Sequence, residues 1–123
     1  LSNGSVAIAG ALYFGGGDAS SAFWKLNPAT NLITPAAAAP IPFGATMADL
    51  VAHPNGTDAL MVGPAGGNVY VYHSASNSWS VIGPHQLGAN EWWVGISVPE
   101  YGVTVWLCEA TSTSAPFIRV YKP

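Results

Sequence analysis

Short apolar runs and small clusters of Gly, Pro, Asn and Ser alternate along the whole chain. Runs rich in Val, Ile, Leu, Tyr and Trp, closed off every few residues by turn formers, are the signature of short antiparallel strands. Helix signals are weak throughout. Ala36 to Ala39 suits a helix by propensity, but Pro35, Pro40 and Pro42 bracket it too closely for more than a turn. The pattern predicts strands over Ser5 to Gly10, Ala11 to Gly15, Asp49 to His53, Ala59 to Gly63, Trp93 to Val98 and Val103 to Cys108. Pro54 to Thr57 and Pro99 to Gly102 are read as hairpin turns between successive members of this set.

Internal repetition organises these strands. Phe23 to Thr34 lies over Val69 to Ser80 at a shift of 46, so that Trp24 meets Tyr70, Leu26 meets Tyr72, Asn31 meets Asn77 and Ile33 meets Trp79. Both segments read as strand, four-residue turn, strand, with an Asn at the turn exit that tolerates a left-handed backbone. A third copy starts at Phe117 to Pro123, with Tyr121 in the place of Leu26 and Tyr72. Each unit is thus four strands in about 40 to 48 residues, the period of a propeller blade.

Leu12 to Gly17, then Trp24 to Pro28 with Thr30 and Asn31, resembles the kelch blade: an apolar strand, a Gly pair, an aromatic strand ending at a Pro turn. The second unit keeps Gly66, Gly67, Tyr72 and Trp79 in the same order, as in the central domain of galactose oxidase. Ile33 stands where that pattern usually has Trp, and the third unit lacks a Gly pair and its fourth strand. The resemblance implies an all-β chain, a β-propeller of four-stranded antiparallel kelch-like blades forming an incomplete ring. Blade 1 is expected over about residues 1–42, blade 2 over 43–88 and blade 3 over 89–123. Trp24, Tyr70, Tyr72, Trp79, Trp106 and Tyr121 are expected in the core, with Tyr72 and Trp79 packing between blades. Gly pairs would let an aromatic ring lie flat on the backbone.

Three blades do not close a ring, because propellers use about four to eight. Either further blades from the same gene product complete it, or copies assemble as a homo-oligomer, two of them giving six blades. The chain starts at Leu1 with no initiator Met or signal peptide, and so is expected to be processed, trimmed or a fragment.

Composition narrows the partners. Hydrophobic residues make up 50% of the chain and charged ones only 7%, which excludes a disordered tail. No apolar run reaches the roughly 18 residues a membrane helix needs. With a net charge of −3 and Lys25, Arg119 and Lys122 as its permanent cations, the chain has no basic stripe for nucleic acid or anionic lipid. The expected partner is a protein surface or a neutral carbohydrate. Cys108 is the single cysteine, so an internal disulfide is excluded and the residue is read as buried core. Asn3 and Asn55 head glycosylation sequons, which lean toward a secreted, extracellular chain.

Candidate chemistry is sparse. The Gly-rich loops at Gly15 to Gly17 and Gly63 to Gly67 open no helix and carry no nucleotide-loop lysine. His53, His73 and His85 share no metal-type spacing, and no metal or other cofactor is expected. Tyr72 and His73 resemble the adjacent Tyr and His ligands of copper-radical oxidases, but they are placed at the end of a blade's third strand. No Ser–His–Asp order is visible. Glu91, Glu100 and Glu109, with Asp49, are the carboxylates from which a glycosidase pair could be drawn.

The best candidate site is the link from blade 2 to blade 3, Pro84 to Trp93. His85, Gln86, Asn90, Glu91 and Trp92 bring donors, an acceptor and an aromatic plane to one blade-to-blade connection, the mixture that sugars favour. The competing reading is that Trp92 and Trp93 simply begin a buried strand. The expected function is a non-catalytic kelch-like binding module for protein or carbohydrate. Its alternatives are a lectin assembled as a ring from short chains, since Phe117 to Tyr121 resembles a strand of fucose-binding propeller lectins, or a fragment of a secreted oxidase or glycosidase propeller.

Overall fold

The computed structural model describes residues 4–16, 20–43, 49–63, 67–85, 92–109 and 116–123, the side chains of Trp92, Trp93 and Glu109 excepted. Within these residues the chain is all-β, with a single 3-10 turn at Pro99–Tyr101. Eleven strands form three antiparallel sheets of four, four and three strands. Sheet 1 runs β1 (Ser5–Ile8), β2 (Ala11–Gly15), β3 (Phe23–Asn27), β4 (Leu32–Pro35) in spatial order. Sheet 2 runs β5 (Asp49–Ala52), β6 (Asp58–Val62), β7 (Asn68–His73), β8 (Ser78–Pro84). Sheet 3 runs β9 (Trp92–Val98), β10 (Val103–Glu109), β11 (Phe117–Tyr121). No ring closure is seen among these three sheets.

Every sheet is a meander of sequence-adjacent antiparallel strands, and in the described turns the turn residues set the register. Asn31 and Asn77 leave the long turns with φ of 56° and 49°, the left-handed exit that the sequence pattern predicts. Gly102 closes the 3-10 turn in the same region (φ 63°) and donates its N–H to Pro99. The first hairpin is tighter than expected. β1 stops at Ile8, and Ala9 (φ 48°) and Gly10 (φ 72°) form a two-residue turn. Two positive φ values match the primed turns that suit strand twist. Ala9 N–H also donates to Gly56 O (3.1 Å), joining this turn to the first turn of sheet 2.

The sheets stack through their faces and come together at their first strands, β1 against β5 and β5 against β9. Between sheets 1 and 2 the core is aromatic. Tyr72 of β7 reaches across to Tyr13 and Phe23, with ring centroids at 5.3 and 5.0 Å. Trp79 of β8 lies 5.2 Å from both Phe23 and Tyr72. Its indole N–H donates to Ala37 O (2.9 Å), and Asn77 Oδ1 accepts from Ala37 N–H (2.8 Å) and the Tyr72 hydroxyl (2.9 Å). Burial pushes the Tyr72 hydroxyl up to about 12, so it stays a neutral donor in this contact. Gly15 is required here because the Phe43 ring lies flat on its backbone, where a Cβ would overlap the ring.

Between sheets 2 and 3 the core is mainly aliphatic: Val51, Leu60, Val62 and Val71 against Trp106 and Cys108, with Phe117 and Tyr121 at its margin. Cys108 is buried as expected. Of the aromatic residues assigned to the core, Tyr72 and Trp106 are fully buried and Tyr70, Trp79 and Tyr121 pack at the margins. Trp24 is the exception. It stands on the outer face of sheet 1, 38% exposed, because strand alternation puts it opposite Phe23 and Lys25. The Ala36 to Ala39 segment forms no helix; it runs alongside β3, with Ala36 N–H bonded to Phe23 O and Ala39 N–H to Ser21 O.

A left-handed alanine costs roughly 1–2 kcal/mol that glycine does not pay. Ala9→Gly is therefore expected to raise the unfolding free energy by about 1 kcal/mol, read from the urea midpoint at constant slope.

Candidate functional site

Of the candidate residues on the link between sheets 2 and 3, Gln86, Asn90 and Glu91 lie outside the described residues, and Trp92 enters only as the first residue of β9. His85 is described, and the structure ties it down. Its backbone N–H donates to Gly67 O (3.1 Å) and its Nε2 donates to Gly63 O (3.1 Å). One residue, through its ring and its backbone N–H, thus holds both ends of the β6–β7 connection against the end of β8. Of the two sequon asparagines, Asn3 lies outside the described residues. Asn55 is exposed in the β5–β6 turn, with Oδ1 accepting from Thr57 and Asp58 N–H and Nδ2 donating to Asp58 Oδ2 (3.1 Å).

His85 borders a groove of about 380 Å³ between sheets 2 and 3. Trp106, Arg119 and Tyr121 line one side, and Val69, Gly83 and Pro84 line the other. Burial holds the Tyr121 hydroxyl above its ordinary value. The Arg119 guanidinium lies over the Phe117 ring, 4.7 Å from its centroid. Strand register relates this groove to the interface before it: Val69 pairs as Phe23 does, and Tyr121 stands where Tyr72 stands. At the earlier interface the corresponding space between Phe23, Tyr72 and Ala37 is filled by the Trp79 indole. The groove therefore occupies, at this interface, the place that the Trp79 indole takes at the one before it.

At the inner end of the same interface, Asp49 of β5 accepts from Gly95 N–H of β9 (2.8 Å). Gly95 is needed there, since a Cβ would stand 2.7 Å from Trp106 Nε1 and 3.1 Å from Asp49 Oδ2. Burial pushes the Asp49 carboxyl above its usual value of 3.8, opposed by the Gly95 and Leu50 N–H groups and by the Trp106 indole. The indole N–H is buried beside that carboxylate but outside hydrogen-bond geometry. Asp49 is consumed by this contact between sheets, and Glu100 sits exposed on the 3-10 turn. Neither joins a second acid among the described side chains.

Strand pairing assembles one constellation that linear order concealed. Asp58 and His73 are cross-strand partners, and Asp58 Oδ2 lies 3.1 Å from His73 Nδ1. His73 Nε2 lies 2.8 Å from Ser80 Oγ on β8. With Nδ1–H donating to the carboxylate, Nε2 accepts the Ser80 proton, an acid–imidazole–hydroxyl chain in the geometry of a hydrolase triad. Its setting is different. His73 and Ser80 are on an open sheet surface, and Ser80 sits in extended strand rather than on a strained turn. The signal that finds it is the hairpin register, which sets Asp58 opposite His73.

Tyr72 and His73, the pair that resembles copper ligands, alternate onto opposite faces of sheet 2, Tyr72 toward sheet 1 and His73 toward Asp58. They do not converge. Among the described residues, no group of three or more His, Cys, Asp and Glu side chains is placed to hold a metal ion. No family model matches the chain, and neither does any curated protein.

Two measurements test these assignments. Asp49 binds its proton more tightly in the folded chain than in the unfolded one. Its contribution is fully present below the unfolded value and is lost as pH rises through the raised folded value. Urea unfolding from about pH 3.5 to 7 is expected to show the stability of wild type falling relative to Asp49→Asn as pH increases. A fluorophosphonate probe is expected to leave Ser80 unlabelled under conditions that saturate a serine hydrolase, as judged by intact mass.

Proposed function

We propose that this chain is a non-catalytic, kelch-like propeller module that acts by binding, and that its ligand enters the groove between sheets 2 and 3. One observation carries the reading: the groove repeats, at the next interface, the space that the Trp79 indole fills. It offers aromatic walls in Trp106 and Tyr121, a cation in Arg119 and the apolar Val69. Such a slot suits an aromatic side chain on a protein segment or the apolar face of a sugar ring, with hydrogen bonds at the rim. The weak net charge and the absence of a basic stripe favour the same neutral partners over nucleic acid. An extracellular setting, where the exposed Asn55 sequon would be used, fits this role.

The ring-lectin alternative uses the same groove with sugar as its ligand. The oxidase and glycosidase alternatives draw no support from the described residues, where Tyr72 and His73 diverge and Asp49 is engaged with Gly95.

The test is an amide NMR titration with two probes, N-acetyl-tryptophanamide and methyl galactoside. Saturable shifts confined to Gly83 to His85 and Arg119 to Tyr121 are expected with at least one probe, weakened about tenfold or more by Tyr121→Ala, the loss of one ring contact. No saturable shift with either probe, or shifts unaffected by Tyr121→Ala, would remove this groove as the site.

A further inference from the structure

Each sheet turns one face forward, toward the next sheet in chain order, and one face back. Strand register fixes which positions correspond. Val51, Leu60, Val62, Val69 and Val71 form the forward face of sheet 2, and their counterparts in sheet 3 are Ile96, Val105, Leu107, Ile118 and Val120. All ten are aliphatic. In sheet 2 this face is covered by sheet 3, and Val51, Leu60, Val62 and Val71 are no more than 6% exposed. In sheet 3 the same positions face outward, with Ile96, Ile118 and Val120 at 64%, 61% and 61% exposure.

The other end of the stack is built to match. Sheet 2 covers sheet 1 with a back face that includes Ala59, Met61, Tyr70, Tyr72 and Trp79. The corresponding back-face positions of sheet 1 are Leu12, Phe14, Trp24, Leu26 and Ile33, of which Leu12, Trp24 and Ile33 are exposed. An antiparallel sheet with a solvent face normally alternates apolar with polar residues, and edges or faces left open usually carry charge. Neither set contains a charged residue. A contiguous apolar patch of this kind marks an interaction surface.

We propose that the forward face of sheet 3 docks onto the back face of sheet 1 in a second copy of this chain, head to tail. The contact continues the stacking of forward face on back face made twice inside the chain. It is closest to the one between sheets 2 and 3, where an aliphatic forward face meets a back face carrying Trp106. One chain carries both halves. Such a pairing is heterologous and is satisfied at both ends only when it closes. Two copies bring six sheets together, within the range of about four to eight that closed stacks of this kind use, and three copies exceed it. Val120 borders both this face and the groove, but the two test positions, Ile118 and Trp24, do not line the groove.

The test is the mass of the purified 123-residue chain by light scattering and sedimentation. The expected particle is a dimer, twice 12.7 kDa. Ile118→Lys on one face and Trp24→Lys on the other each place an unpaired charge in the contact and are expected to weaken the dissociation constant roughly 100-fold or more. Far-UV circular dichroism checks that each variant keeps its β structure. If either lysine variant unfolds, Leu107→Thr and Leu12→Thr replace them, with a weakening of about tenfold expected from the apolar area lost. A wild-type chain that stays monomeric at all concentrations overturns the proposal. So does a dimer that survives substitution on either one of the two faces, which would place the contact elsewhere or pair like faces.

Discussion

The contact between the forward face of one sheet and the back face of the next is the interaction on which the rest depends. A meander of three or four short strands has its backbone paired but buries little by itself. What stabilises it is a neighbour laid across its face, at about 25 cal/mol for each Å² of apolar surface removed from water. Tyr72 shows how the contact is made specific. Its ring packs on Tyr13 and Phe23 from the neighbouring sheet, while its hydroxyl meets Asn77, which also accepts from Ala37 in the segment that follows β4. A turn residue of one hairpin thereby fixes both its own strand and the register of the next sheet.

The two internal interfaces solve the same packing problem with different chemistry. Between sheets 1 and 2, rings interlock and the Trp79 indole reaches a carbonyl. Between sheets 2 and 3, branched aliphatic side chains pack on Trp106, and the polar tie moves to the inner strands, where Asp49 accepts from Gly95. That tie costs something in desolvation, which is why the Asp49 carboxyl is held above its usual value. The groove lies at this second interface, where Val69 stands in the place of Phe23 and no described ring fills the space that the Trp79 indole takes at the first.

The strands and their grouping were legible because hairpins of this length leave local marks. The turn asparagines, the Pro–Gly corners and the 46-residue shift between Trp24 and Tyr70 each follow from short-range backbone chemistry. What the sequence left obscure depends on which face a residue joins. Trp24 reads as core by type, yet it belongs to the back face of the first sheet, which no other sheet among the described residues covers. His85 reads as a ligand donor, but its imidazole is spent on Gly63 and its N–H on Gly67. Asp58, His73 and Ser80 stand on three successive strands and become neighbours only through their register.

The coverage of the middle sheet also has a consequence in time. Within a single copy, and among the described residues, sheet 2 is packed on both faces and each flanking sheet on one, so in a lone copy resistance to opening is graded along the stack. In such nearest-neighbour arrays the ends loosen at lower free energy than the centre. The amides of β6, where Ala59, Leu60 and Met61 are all fully buried, belong to the last part of the molecule to exchange with solvent. The outer strands β4 and β11 frame its most transient openings.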